Sequence, residues 1–534
     1  MAGINKPWVR VVFRRRVFVI SILLVQILFI IFLIAGGSLY FRYLSIFLSF
    51  LSIIVCIRII NRKEKSAYKL TWIFIILLFP IFGGILYVLF YTQSNPRKLK
   101  RQIAAVNRLA ASSFFLPGDR LPALRSNNRE FYTLAHYLQE YAGFPVYSKT
   151  RTEYFPSGES FYKRVMEEIV KAEHYIFLEF FILRQGQMLD PVLNVLEEKA
   201  RKGVDVRVIY DDLGCFMSLP PDFKNYLWQR GIKCQIFNPF KPIFSSQQNN
   251  RDHRKLIIID GKTAFTGGIN LADEYINAIE RFGHWKDAAI MLQGEGAWSL
   301  TMIFLCMWNV GLKEKEKFDS FYPWSGRPGG LEDAGDEAPV HGSPPDGECS
   351  IESDGFVQPY ADSPIDDENV GEHVYIQIIN NAREYVYINT PYLVVDDNLL
   401  SALTLAAKSG VDVRIITPHR WDKWMVAITS RSYYRQLVTA GVKVYEYTSG
   451  FNHSKTFVCD DKIATVGTTN LDFRSLYLHF ECGVVVYRGK SIRSVKEDFL
   501  DTLPGCHQIT ISDCARNALQ RMIQDVLRLF APLM

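Results

Sequence analysis

Apolar and polar positions fall into distinct regimes along this chain. Residues 17–41 form a run with no charged side chain; Arg42 interrupts it, and residues 43–60 and 70–91 continue apolar, with Arg58 near the end of the second run. A hydrocarbon core takes roughly 20 apolar residues per helix. The first and third runs are long enough and the second approaches that length. The first run is too long for the apolar core of a cleaved signal peptide. Basic residues flank the N-terminus, the loop at 61–69 and the exit at 97–101, and the positive-inside rule assigns all three to one side. The pattern therefore predicts a membrane region over 1–96. It is read as a hairpin plus a third segment that re-enters or lies in the interface, kinked at Pro80, Gly83 and Gly84. The rest of the chain is then cytoplasmic.

Residues 97–146 form a basic connector; the stretch 96–113, which leads into it, is Ala-rich and basic, suited to a helix on a membrane surface or to a plain linker helix. From 147 onward the period alternates between helix and strand. Residues 161–172, 188–202 and 223–230 have helical spacing, whereas 175–183, 204–210 and 232–237 are short β-rich apolar runs punctuated by Gly203 and Gly231. Such alternation predicts an α/β sheet with helices on both faces.

The same order then recurs. Helical spacing at 374–382 and 398–408 brackets a β-rich run at 385–393, and Gly410 and Gly441 each precede another strand. The pentapeptide GVDVR begins at both Gly203 and Gly410, which anchors an internal duplication. Two lobes follow, 147–324 and 348–505, separated by a Gly-, Pro- and acid-rich flexible insert at 325–347. The tail, 506–534, ends in a helical pattern (Leu519, Met522, Ile523, Val526, Leu527, Phe530) expected to pack on the second lobe.

Composition adds a partner class. The 534 residues carry a net charge of +6, and the chain is 49% hydrophobic and 14% aromatic. A basic chain suits a negatively charged partner, either nucleic acid or anionic lipid. The apolar N-terminus favours lipid over nucleic acid. Nine cysteines without a C-x-x-C pair read as scattered thiols in a reducing compartment.

The chemistry sits in a repeated signature. His253, Lys255, Asp260, Gly267 and Asn270 recur as His453, Lys455, Asp460, Gly467 and Asn470. A histidine can attack phosphorus or carry a proton near neutral pH. A lysine two residues on along a strand points to the same face, and an asparagine adds a neutral donor. Each lysine precedes an apolar strand, and each motif Asp ends that strand at a turn (DGK, DDK). Asp260 and Asp460 enter the catalytic set as motif members, although the preference of Asp for turns favours a hydrogen-bonding role. Pairing the duplicated units brings two His, two Lys and two Asn onto one phosphate. One His then attacks and the other protonates the leaving alkoxide and deprotonates the incoming hydroxyl. No cofactor is required, and no His/Cys or carboxylate spacing suits a metal. Imidazoles need orienting carboxylates; Asp287 in GHWKDAAI and Glu481 in YLHFECGVVVY are the candidates, each preceding a β-rich run that could return it to its own motif.

These twin motifs resemble the phospholipase D superfamily. With YKLTWIFIILLFPIFGGILYVLF, HWKDAAI and INTPYLVVDD, the chain is similar to bacterial cardiolipin synthases. The resemblance implies a two-lobed α/β fold with one site at the lobe interface and His253 as nucleophile. It also implies His453 as general acid and base, with Asp287 and Glu481 as orienting carboxylates. The implied reaction joins two phosphatidylglycerols and releases glycerol at a bacterial cell membrane. Hydrolysis by water, or transfer to another alcohol, is the alternative outcome. A non-catalytic membrane scaffold fits poorly, because every polar motif position is intact. His479 departs from the pattern, standing where the family usually has Asn.

Overall fold

The computed structural model describes residues 39–79, 83–84, 87, 97–115, 120–127, 129–240, 246–324, 355–366 and 368–533. The insert at 325–347 and all but the last residues of the first apolar run lie outside them, as does Pro80. The chain divides into two compact units, one of residues 1–96, 240–249 and 525–534, the other of 97–239 and 250–524.

In the first unit, helix Leu39–Ile60 carries Ile46, Phe47, Phe50, Ile53 and Ile57 exposed, while Ile59 is buried with Ile76 of helix Ser66–Leu78. Among the described residues no helix is long and apolar enough to cross a membrane. Thr71 donates to the Leu529 carbonyl at 2.7 Å, and Phe74 meets Phe530 edge-on. The amphipathic helix Ala518–Phe530 leaves Leu519, Met522, Ile523 and Val526 exposed. The expectation that this apolar face packs on the second lobe is thus corrected: the face is exposed, and the helix's last turn is met by the Thr71 hydroxyl and the Phe74 ring of Ser66–Leu78.

The second unit holds both lobes. Strands of the first lobe are β1 (Thr150–Phe155), β2 (Tyr175–Phe180), β3 (Asp205–Asp211), β4 (Lys233–Phe237), β5 (Leu256–Ile259), β6 (Thr263–Gly267) and β7 (Ala289–Gly294). Those of the second are β8 (Phe356–Asp362), β9 (Tyr385–Asn389), β10 (Asp412–Pro418), β11 (Lys443–Tyr447), β12 (Thr456–Cys459), β13 (Ile463–Gly467) and β14 (His479–Tyr487). The first sheet runs β1-β7-β6-β5-β2-β3-β4 and the second β8-β14-β13-β12-β9-β10-β11, with Cys506–Gln508 added at its edge. The order is the same in both, as a duplication requires. The sheets are mixed: β2, β3 and β4 are joined by helical crossovers and run parallel, whereas the β5–β6 hairpin and its neighbours are antiparallel.

Helix Glu295–Gly311 has no charge after its first residue and is buried on nearly every side. One hydrophobic core runs from Phe177 of β2 through Trp298 and Phe304 of this helix to Val357 and Val484 of the second sheet. Ile103, Val106 and Ala110 of helix Arg97–Ala110 also sit in that core, so this basic segment is a docked connector with its charged side chains outward.

Candidate active site

The histidine-bearing segments reach across the lobe boundary before they enter their own sheets. Arg251–Asp252 pairs parallel with the start of β14, and the amide of His253 donates to the Phe480 carbonyl at 2.9 Å. In the mirror arrangement Gly450–Asn452 pairs parallel with His284–Lys286, and the His453 amide donates to the Lys286 carbonyl at 2.7 Å. Each imidazole therefore lies level with the carboxylate of the opposite lobe. His253 Nδ1 is 2.9 and 3.0 Å from the two Glu481 oxygens, and His453 Nδ1 is 2.6 Å from Asp287 Oδ2. This corrects the expectation that each carboxylate returns to its own motif. Short interlobe strand pairs decide the partner, because register along a ladder fixes which residues face each other.

A carboxylate only accepts, so Nδ1 carries the proton in each neutral ring and the lone pair resides on Nε2. Aromatic rings hold both imidazoles edge and face. Phe181 lies 5.0 Å and His479 5.4 Å from His253; Trp285, Tyr275 and Phe451 lie 5.3, 5.7 and 5.8 Å from His453. Trp285 and His479 occupy equivalent places in the two lobes, two residues before Asp287 and Glu481 respectively.

Lys255 donates from Nζ to the His253 carbonyl at 2.6 Å, and Lys455 makes the same contact with the His453 carbonyl. Both ammonium groups are buried. Burial pushes Lys255 down to about 8 and Lys455 to about 7, against the pull of Glu481 and Asp287. Burial likewise pushes His253 well below the usual imidazole value, with Lys255 and Lys455 adding to it. His453 is pushed to about 4 by burial and then Lys455, which outweigh Asp287. His479 is pushed to about 3 by burial, against the pull of the Glu481 carboxylate 3.6 Å from its Nδ1. The site thus favours neutral imidazoles beside two lysines that titrate near neutral pH, an arrangement that an anion would tip toward protonation.

The motif aspartates are elsewhere. Asp260 accepts from the backbone amides of Glu173, His174 and Tyr175 at 2.7–2.8 Å, and Asp460 from those of Arg383, Glu384 and Tyr385 at 2.7–3.0 Å. Each sits at the far end of its strand from the histidine, roughly 20 Å away at about 3.3 Å per residue. Their inclusion in the catalytic set is corrected: all acceptor capacity that the structure uses goes to starting β2 and β9. Both have positive φ, 51° and 52°, in the tight hairpin turn, where Asp is tolerated and Gly261 follows in the first lobe.

Asn270 accepts from the Ile182 amide at 2.9 Å and donates to the Tyr275 hydroxyl at 2.6 Å, so it braces a ring that lies against His453. Asn470 Oδ1 is buried without a protein partner among the described residues. Glu481 also accepts from the Thr468 hydroxyl. The equivalent first-lobe residue is Gly268, where a Cβ would stand 2.0 Å from Asp287 Oδ1. His253, His479 and Glu481 offer ligand atoms within 4.8 Å of one another, the cluster among the described residues that could hold a cation.

A further difference between lobes was not read from the sequence. Beneath His253 lies a buried charged network in which Arg254 meets Glu179 at 2.7 Å and Asp252 at 3.0 Å, and Arg251 meets Asp211 at 3.4 Å. The second lobe has Ser454, Asn389 and Asn452 at the matching places, with Asn452 donating to Asn389 at 2.9 Å. Its sequence signals were the contrasts between RDHRK and FNHSK and between Glu179 and Asn389.

Comparison with known proteins gives the family. A profile described as "Cardiolipin synthase, PLD-like domain" matches residues 165–281 and 375–503, and one described as "Phospholipase_D-nuclease N-terminal" matches 47–90. A cardiolipin synthase of Geobacillus sp. (strain WCH70) is 33% identical over 92% of this chain and 94% of its own. The chain belongs to the cardiolipin synthase family of the phospholipase D superfamily. It is accordingly an enzyme of the phosphatidyltransferase type. An uncharacterized protein of Streptococcus mutans is 42% identical over 89% of this chain and 98% of its own. The fold is similar to that of a Haemophilus influenzae phosphatidylserine synthase, with a TM-score of 0.52 at 15% identity, covering 73% of this chain and 94% of that one. Both halves of the family's paired domain therefore carry one histidine each, and the two halves exchange the carboxylates that steady them.

Proposed function

We propose that this enzyme is a membrane-bound cardiolipin synthase that transfers a phosphatidyl group from one phosphatidylglycerol to another. Nε2 of His253 attacks phosphorus, the bond to the departing glycerol oxygen breaks, and His453 supplies the proton that leaves with glycerol. The glycerol hydroxyl of a second phosphatidylglycerol then gives its proton to His453 and attacks phosphorus, breaking the P–N bond. Lys255 and Lys455 offset charge on the nonbridging oxygens, and the buried Asn470 adds a neutral polar group. The observation that carries this reading is the reciprocal one: each Nδ1 is tied to the other lobe's carboxylate, so both Nε2 lone pairs remain for chemistry.

An anionic phosphodiester raises the proton affinity of nearby imidazoles, which supplies His453 with its proton only once substrate is bound. The choice of His253 as nucleophile rests on its position in the first motif. The exposed apolar side chains of helix Leu39–Ile60 support attachment to a bacterial cell membrane, with the catalytic lobes on the cytoplasmic side and anionic lipid as partner.

The test is incubation of full-length protein in mixed micelles with phosphatidylglycerol and a chelator, followed by mass spectrometry. Cardiolipin with stoichiometric glycerol is the expected product. Phosphatidic acid alone would make the enzyme a hydrolase. His253→Ala is expected to abolish both product and acid-labile phosphoprotein; near-normal turnover would overturn the nucleophile assignment.

A further inference from the structure

The two lobes differ beside their histidines. In the first, the segment after β3 is packed shut: Gly214 is pressed so close to the Phe181 carbonyl that a Cβ would lie 2.1 Å from it, and Phe181 covers His253. In the second, the segment after β10 borders a cleft lined by Tyr392, Trp421, Asp422, Lys423, Arg431 and Phe451. The Phe451 ring is the one stacked near His453, and Tyr392 lies 6.5 Å from it.

The polar groups of this cleft are unevenly satisfied. Asp422 Oδ2 accepts from the Tyr392 hydroxyl at 2.6 Å and has the Lys423 ammonium 3.9 Å away. Its other oxygen, Oδ1, is buried without a protein partner among the described residues. A buried carboxylate oxygen left unpaired is costly, so the arrangement calls for a donor from outside the chain. Lys423 also lies over the Tyr392 ring at 5.3 Å, which fixes the cation at the same wall. Trp421 and Phe451 provide apolar faces for carbon.

We propose that this cleft seats the incoming alcohol and that Asp422 recognises a polyol hydroxyl there, the terminal glycerol of a phospholipid headgroup being such a group. The proposal rests on the phosphatidyl-transfer reading above and deepens it. The attacking hydroxyl is presented beside His453, which takes its proton, while a neighbouring hydroxyl donates to Asp422 Oδ1. His253 attacks the phosphorus, and the cleft lies on the His453 side of it.

Free glycerol and 1-propanol serve as competing acceptors in micelles of phosphatidylglycerol, and the ratio of transfer product to phosphatidic acid is read for each. In Asp422→Asn the ratio for glycerol is expected to fall roughly tenfold, the scale of one hydrogen bond to a charged acceptor, with the ratio for 1-propanol unmoved. Tyr392→Phe, which frees Oδ2 without removing the carboxylate, is expected to shift the glycerol ratio less. Equal changes for both alcohols, or none, would overturn the proposal, because a structural role lowers all products together. Wild-type protein that yields neither transfer nor hydrolysis would instead overturn the phosphatidyl-transfer reading, a distinguishable result. A fall with ethanolamine as acceptor but not with glycerol would reassign the cleft to amines and overturn the polyol assignment.

Discussion

His253 and Glu481 belong to opposite lobes, yet Nδ1 of the first lies 2.9 and 3.0 Å from the two carboxylate oxygens of the second. The nucleophile proposed for one half is thus tuned by the other half. Glu481→Gln keeps the size of the side chain but removes its charge. It is expected to slow phosphohistidine formation by about 100-fold or more, as orienting-carboxylate loss does elsewhere. Asp287→Asn acts through His453, which serves both steps: it is expected to slow phosphoenzyme formation from phosphatidylglycerol but to spare it with a 4-nitrophenyl ester, whose leaving group needs no proton, whereas Glu481→Gln slows it with either. Rapid-quench measurement of the phosphoenzyme separates the two; identical profiles would remove the cross-lobe division of labour.

Gly268 stands where the second lobe has Thr468. Gly268→Ala places a methyl 2.0 Å from Asp287 Oδ1, so the carboxylate must leave His453. Loss of activity by about tenfold or more is the expected result, with a lower unfolding temperature because the buried carboxylate loses its partners. Thr468→Val, which removes a donor to Glu481, is expected to cost less, because the carboxylate keeps its imidazole partner.

Asp260 is a structural residue on the geometry seen. Asp260→Ala leaves three backbone amides without their acceptor, which at about 1 kcal/mol each costs roughly 2–4 kcal/mol. Thermal unfolding followed by tryptophan fluorescence should move down. Turnover per folded molecule should hold; a selective loss of turnover in fully folded protein would return Asp260 to the catalytic set.

The pH dependence of stability has a definite sign. His453 is pushed to about 4 in the folded chain against an ordinary value of 6.5. Between those values the unfolded chain binds more protons, so stability falls as pH drops from about 6.5 toward 4, by roughly 3 kcal/mol at about 1.4 kcal/mol per unit. Lys455, pushed to about 7, acts in the same sense at higher pH: stability rises from about 7 toward its ordinary 10.5. Chemical denaturation across pH 4–7 should show the first slope, and His453→Gln should reduce it, leaving the share that the lowered His253 and His479 contribute in the same sense.

Much of this was legible in one dimension. Helix and strand periods, the GVDVR repeat and the doubled His-x-Lys motif determined an α/β duplication and named both histidines and both lysines, because periodicity and spacing are local properties of the chain. They also named Asp287 and Glu481, but attached each to the wrong histidine. That pairing depends on the strands at 251–252 and 450–452 adding to the opposite lobe, a contact between residues about 200 positions apart with no local signature. The same holds for the burial that depresses the imidazoles and for the open wall at Asp422. The sequence by itself determined which groups exist and in what order; tertiary structure decided which of them share a buried, low-dielectric space, and there a neighbour's charge and hydrogen bonds set what each group can do.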